Sequence, residues 1–150
     1  MNEFDVVGII NRPIEEVFAF VEKAENIPLY NPAVTEARMT SEGPVGIGAK
    51  ALMTGKFLGR SFDTTWEMVD YKAGERLESR TTSGPFHLEV TWSLERAGVD
   101  RTRFTWHCEG DTKGFFKLAE PVVTRITRKQ FEAAAETLKE ILEAAPAETD

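Results

Sequence analysis

The segment from Phe115 to about Ala145 limits what this chain can fold into more than any other, because its polar and apolar residues separate almost completely on a helical wheel. Ala119, Val123, Ile126, Phe131, Ala134, Leu138, Ile141 and Leu142 share one side, while Arg125, Arg128, Lys129, Glu132, Glu136, Lys139, Glu140 and Glu143 share the other. That separation predicts one long helix with a face committed to burial. Thr127 and Gln130 interrupt the apolar stripe. They project toward whatever the stripe covers, where a polar group without a partner carries a desolvation cost.

The middle of the chain supplies a surface to cover. From Val34 to Gly110 the apolar period is two, and Gly43-Pro44, Gly46 to Gly48, Gly59-Arg60, Ala73-Gly74, Ser83-Gly84-Pro85 and Ala97-Gly98-Val99-Asp100 cut the stretch into six runs. Turns this short predict antiparallel neighbours, because a parallel pair needs a long crossover. Phe86, Leu88, Val90, Trp92 and Leu94 alternate with His87, Glu89, Thr91, Ser93 and Glu95, and Phe104, Trp106 and Cys108 alternate with Arg103, Thr105, His107 and Glu109. Less regular alternation places Thr35, Ala37 and Met39, then Ala51, Met53 and Phe57, then Phe62, Thr64, Trp66 and Met68, then Leu77, Ser79 and Thr81 on the same side. The inner surface is therefore predicted to be aromatic and aliphatic with a few hydroxyls, and parity puts no carboxylate or ammonium on it.

Ahead of these runs, Phe4 to Ile10 reads as a strand that stops at Asn11-Arg12-Pro13, where proline is pre-set for the first turn of a helix. Ile14, Val17, Phe18 and Val21 give that helix its buried face, and Glu15 and Glu16 suit its first turn. The prolines at 28 and 32 allow only a short second helix. The predicted class is α+β in the order strand, helix, helix, six strands, long helix, a curved seven-stranded antiparallel sheet wrapped around the last helix. Strand and helix lengths agree: a helix of roughly 28 residues is roughly 40 Å long, and strands of 10 to 12 residues reach roughly 33 to 40 Å. Residues 1–150 form one predicted domain, with a loose tail over 146–150.

Charge and cysteine usage remove several function classes. A net charge of -7 with no concentrated basic block repels phosphate backbones, which argues against nucleic acid as a partner. Cys108 is the single cysteine, so no internal disulfide forms, and no CxxC or Cys/His spacing suggests a metal. The acidic start, Met1-Asn2-Glu3-Phe4-Asp5, differs from a basic secretory leader, and no apolar run approaches a membrane span. A cytoplasmic protein without a cofactor, a metal or an integral membrane segment is expected. Oligomeric state has no signature in the sequence.

Pro13-Ile14-Glu15-Glu16-Val17-Phe18, Asn26-Ile27-Pro28-Leu29-Tyr30-Asn31-Pro32, Gly84-Pro85-Phe86 and Gly114-Phe115-Phe116-Lys117-Leu118-Ala119-Glu120-Pro121 together make the chain resemble the START-like, or SRPBCC, superfamily with its helix-grip fold. Within it the resemblance is to the polyketide cyclase/dehydrase-like proteins. It spans nearly the whole chain and rests on fold motifs, not catalytic ones. Family members commonly carry Trp where this chain has Tyr30 and a small cap residue where it has Arg12. The resemblance implies a cavity between sheet and terminal helix, used across the superfamily for sterols, lipids, plant hormones, polyketides and ubiquinone-like molecules.

The residues of that expected cavity are Met53, Phe62, Thr64, Trp66, Ser79, Thr81, Phe86, Trp92, Phe104, Trp106, Thr127, Gln130, Phe131 and Ala134. Its aromatics suit a small hydrophobic ligand, and its hydroxyls and amide would orient a polar end. Any one aromatic is also an ordinary core filler. His87 and His107 fall on the outer phase, away from a desolvated cleft where a general base is tuned. Cys108 points inward as a small hydrophobe. Arg76 and Arg80 face out unless a bulge flips the register. Gly110 to Gly114 lacks the spacing of a phosphate loop and reads as a hinge, with Phe115 and Phe116 anchoring the helix or gating the cavity. Two functions stay open: binding of a lipid, polyketide or aromatic molecule, and polyketide cyclase/dehydratase-like chemistry in the same space. No large apolar outer face favours a third, protein docking.

Overall fold

Seven stretches of alternating residues become strands because each can turn one face inward and one outward while its backbone is paired on the flanks. In the computed structural model, which describes residues 2–112 and 120–144, the order is β1 (Asn2–Ile10), α1 (Ile14–Val21), a 3₁₀ turn (Ala24–Asn26), α2 (Ile27–Tyr30), β2 (Val34–Met39), β3 (Lys50–Phe57), β4 (Arg60–Lys72), β5 (Arg76–Ser83), β6 (Phe86–Gly98), β7 (Arg101–Thr112) and α3 (Glu120–Ala144). A single curled sheet runs β1-β7-β6-β5-β4-β3-β2, every pair antiparallel. The first strand therefore closes on the last, and the other strands form a meander. This is the helix-grip arrangement expected from the sequence. The expected helix start at Phe115 and Phe116 and the tail at 146–150 lie outside the described residues. Gly110 to Thr112, expected in a hinge, continue β7 as strand.

The long helix is held at its C-terminal end by groups from β1 and the turn after it. Helix-terminal carbonyls lack intrahelical donors. Arg12 Nε donates to the Leu142 carbonyl at 2.8 Å, the Asn11 backbone N–H donates to Glu143 Oε2 at 2.8 Å, and Lys139 Nζ donates to the Ile9 carbonyl at 2.9 Å. Arg12 thus caps a distant helix, while Pro13 begins α1 without a side-chain cap. Beneath α3 the core contains Ile10, Val17, Tyr30 and Leu138, and Thr102 is fully buried with its hydroxyl donating to the Arg12 carbonyl at 2.8 Å.

Three local irregularities shape the inner face. The β2–β3 register shifts between Val34 and Glu36, leaving Thr35 exposed with its hydroxyl on the Thr54 carbonyl, where simple alternation had predicted an inward side chain. A second shift, between Met68 and Asp70, brings Tyr71 opposite the buried Leu77. Between β3 and β4 the two-residue turn has φ of 51° at Leu58 and 77° at Gly59, the doubly left-handed geometry whose twist matches a hairpin. Among the described residues no helix is long and apolar enough to cross a membrane.

Candidate functional site

Between the concave face of the sheet and α3 lies a cavity of about 270 Å³. Strands β3 to β7 supply most of its wall because their inward positions are consecutive across the sheet. Eleven of the expected residues line it: Met53, Phe62, Thr64, Trp66, Ser79, Phe86, Trp92, Trp106, Thr127, Gln130 and Phe131. The structure places the other three elsewhere. Phe104 is 3 % exposed and packs behind Trp92 with ring centroids 5.8 Å apart. Ala134 is fully buried on the inner face of α3. Thr81 ties down its own hairpin, donating to the Phe86 carbonyl at 3.1 Å and accepting from the Leu88 N–H at 3.0 Å. Parity puts all three on the inner side, but it does not say how deep each lies.

The middle of the cavity is an aromatic column. Trp92 stacks on Trp106 with centroids 4.3 Å apart and planes 15° apart, and Phe131 of α3 stacks on the other face of Trp106 at 4.3 Å and 28°. Tyr30 meets Trp106 edgewise at 6.2 Å and 69°, and Phe4 meets Phe131 edgewise at 5.3 Å and 89°. Each such pair contributes about 0.5–1.5 kcal/mol beyond the area it buries. Toward the start of α3, Phe86 packs against Phe57 and Phe62 at 5.6 and 6.1 Å.

Polar groups in this wall divide into engaged and unengaged. Trp66 Nε1 donates to Thr64 Oγ1 at 2.9 Å. Trp106 Nε1 is buried without a hydrogen-bond partner among the described residues. Ser79, Thr127 and Gln130 line the cavity and likewise direct their hydroxyl and amide groups at no described residue.

The wall is not free of charge, contrary to the parity expectation. Glu22, Lys56, Asp111 and Glu120 also line the cavity. Glu22 and Glu120 come from the end of α1 and the first turn of α3, which strand alternation does not govern, and Lys56 and Asp111 are the last residues but one of β3 and β7. Among them Glu22 accepts a hydrogen bond from within the fold: Tyr71 Oη donates to Glu22 Oε1 at 2.7 Å. Burial, then the hydrogen bond and charge of Glu22, push the Tyr71 phenol up to about 12. The Tyr30 phenol is pushed further still by burial alone. Neither Glu22, Tyr71 nor Tyr30 was singled out as a site residue from the sequence. Alternation could not have found Tyr71, because the register shift between Met68 and Asp70 that sets it opposite Leu77 is not marked in the sequence.

The outer face holds the remaining ionisable candidates. His107 contacts Asp5, and its Nε2 lies 3.8 Å from Glu3 Oε2. Glu89 sits opposite Glu109, which sits opposite Glu3, so carboxylates stand in register on three adjacent strands. The hydrogen bond from Glu89, with burial and its charge, raises the Glu109 carboxyl above its ordinary range. Glu3, His107 and Glu109 bring metal-ligand atoms within 4.8 Å of one another, on the side of the sheet away from the cavity. Arg76 bridges Asp70 and Glu78 at 2.9 and 3.0 Å, and Arg80 lies 3.6 Å from Glu67. Cys108 lines the cavity at 2 % exposure, and burial, then the nearby Glu109, pushes its thiol up to about 12. At that value it is not a nucleophile at neutral pH.

Comparison with known proteins agrees with this architecture. The family described as polyketide cyclase / dehydrase and lipid transport matches residues 1–143. Structural similarity extends to a crystal structure from Thermus thermophilus, with a TM-score of 0.83 and 19% identity over 97% of this chain and 100% of that one. A START superfamily protein from Mycobacterium smegmatis has a TM-score of 0.80 and 15% identity, covering 94% of this chain and 97% of its own. The Zhui aromatase/cyclase from a Streptomyces species has a TM-score of 0.82 and 12% identity, covering 95% and 93%. No curated protein matches by sequence.

Proposed function

The chain belongs to the polyketide cyclase / dehydrase and lipid transport family, and on that premise we propose that it binds one small, flat apolar molecule between the sheet and α3. The observation that carries the reading is the cavity itself: about 270 Å³, walled by Met53, Phe62, Thr64, Trp66, Phe86, Trp92, Trp106 and Phe131, with Ser79, Thr127 and Gln130 available to its polar end. Ligand sites usually have volumes of about 300–1,000 Å³. This one sits at the small end, so it suits a compact ring system or short chain over a bulky lipid. Phe104 and Ala134 back the wall, and Thr81 holds the hairpin that carries it. No cofactor enters this proposal.

The test pairs native mass spectrometry of freshly purified protein with titration of a fluorescent apolar probe. One probe molecule should bind per chain. Ser79→Phe, which puts a strand-compatible ring into the space, should abolish binding while leaving the melting temperature near wild type. Undiminished binding by that variant would place the probe elsewhere and remove the cavity from the proposal.

A second reading, cyclase or dehydratase-like chemistry on a poly-ketone, is favoured by the Glu22–Tyr71 pair, since a carboxylate facing an apolar space is a proton acceptor within reach of a bound molecule. The Streptomyces aromatase/cyclase shares this fold. Here Glu22→Gln and Gln130→Leu should each stop turnover of a candidate poly-ketone without loss of fold. Unchanged turnover in both would leave binding alone.

A further inference from the structure

Two polar groups in the aromatic column are unused. Indole Nε1 is a donor and nothing else, and in Trp106 it is buried without a partner among the described residues, in a side chain only 4 % exposed. Tyr30, 1 % exposed and T-shaped against Trp106, likewise gives its hydroxyl no hydrogen bond to any described residue. Both line the cavity. By contrast Trp66, the other indole of this wall with a nearby hydroxyl, donates to Thr64 at 2.9 Å.

A buried donor left unpaired costs about 1–3 kcal/mol. A lone water would be a poor remedy here, because a buried water needs several polar partners and this position is surrounded by Trp92, Phe131 and the Tyr30 ring. A ligand oxygen needs only the donors. It must also be neutral, since no described residue stacked with Trp106 is cationic, Lys56 standing at the end of β3, and a buried anion there would go uncompensated. Burial keeps the Tyr30 phenol protonated and so keeps it a donor.

We propose that Tyr30 and Trp106 select the polarity of the ligand, which is a flat apolar molecule presenting a hydrogen-bond-accepting oxygen, of the ketone or ether kind, to these two donors. The inference rests on the reading of the cavity as a ligand site. Trp106 Nε1 lies within the wall and not on its surface, so the oxygen reaches it as a covering ring shifts. Phe131, half-buried on α3, is the freer of the two rings stacked on it.

The experiment compares 9-fluorenone with fluorene, which differ in the carbonyl and little in shape, by calorimetric titration of the full chain. Wild type should bind the ketone about tenfold more tightly, the worth of one good buried hydrogen bond. Tyr30→Phe and Trp106→Phe should each narrow that preference and together erase it, the ketone-to-fluorene ratio being read within each variant so that a change in the apolar wall cancels. The carbonyl stretch of bound fluorenone should move to lower wavenumber in wild type and return in the double variant. If Trp106→Phe fails to fold, the wild-type preference and Tyr30→Phe, which deletes a single oxygen, still decide. Equal binding of the two probes by wild type overturns the inference, as does a preference that survives in the variants. Failure of both probes to bind overturns the cavity reading along with it.

Discussion

Gly8→Ala tests whether the aromatic column depends on the close approach of β1 to β7. Gly8 pairs with Phe104 across these strands. A Cβ at Gly8 would stand 2.7 Å from both Cε2 and Cζ of the Phe104 ring, where carbon atoms prefer about 3.5–4.0 Å. The ring must therefore withdraw by about 1 Å, and at 3 % exposure it is enclosed and already packs on Trp92, 5.8 Å away by centroid. Overpacking of this kind costs about 1–3 kcal/mol. Replacing a mid-strand glycine by alanine returns about 0.5–1 kcal/mol through chain entropy. The net expectation is a loss of about 1.5 kcal/mol, or roughly 3–6 °C in melting temperature for a domain of this size. Urea unfolding followed by tryptophan fluorescence measures it. Phe104→Leu in the same background should restore part of the loss, giving a double-mutant coupling that additivity would not produce. A Gly8→Ala protein as stable as wild type, or one strictly additive with Phe104→Leu, would refute the steric argument.

Arg12→Ala should lower stability by about 1 kcal/mol by uncapping the last turn of α3; thermal melts read the loss, and amide exchange at the helix end should quicken. Glu109→Gln should raise the melting temperature at neutral pH. The native carboxyl holds its proton more tightly than the unfolded value of 4.5 allows, so its contribution to stability is present below 4.5 and lost as pH rises through the native value; the gain from Gln should therefore vanish at low pH, and a pH-independent gain would contradict the cause. Cys108 should resist thiol reagents in native buffer and react at the rate of unfolding as urea is added, because its thiol is buried and pushed up to about 12. Rapid labelling of the native protein would show a thiol more accessible than this packing allows.

The strands, their antiparallel order and the covering helix were legible in the sequence because alternation and helical periodicity are local. A register of two inward residues in every four does not need tertiary contacts to be read, which is why Phe62, Trp66, Phe86, Trp92 and Trp106 could be assigned to one face. Depth on that face was not legible. Phe104 and Trp106 are two residues apart on β7 and share its inner side, yet one packs behind Trp92 and the other lines the cavity, because the curl of the sheet decides where its concave centre falls. The capping role of Arg12 depends on the last turn of α3, 130 positions later in the chain.

By itself, the sequence determined a curved antiparallel sheet gripped by one amphipathic helix, since each element carries its own buried face. Only the tertiary structure decided what the enclosed space contains. Glu22 reaches it from a helix end and Tyr30 from a short helix between prolines, while a bulge in β4 brings Tyr71 onto Glu22, and simple strand parity predicts none of this. Whether a polar atom is satisfied depends on which neighbours arrive from distant segments. The unpaired N–H of Trp106 is therefore a property of the assembled fold, and no periodicity in the chain announces it.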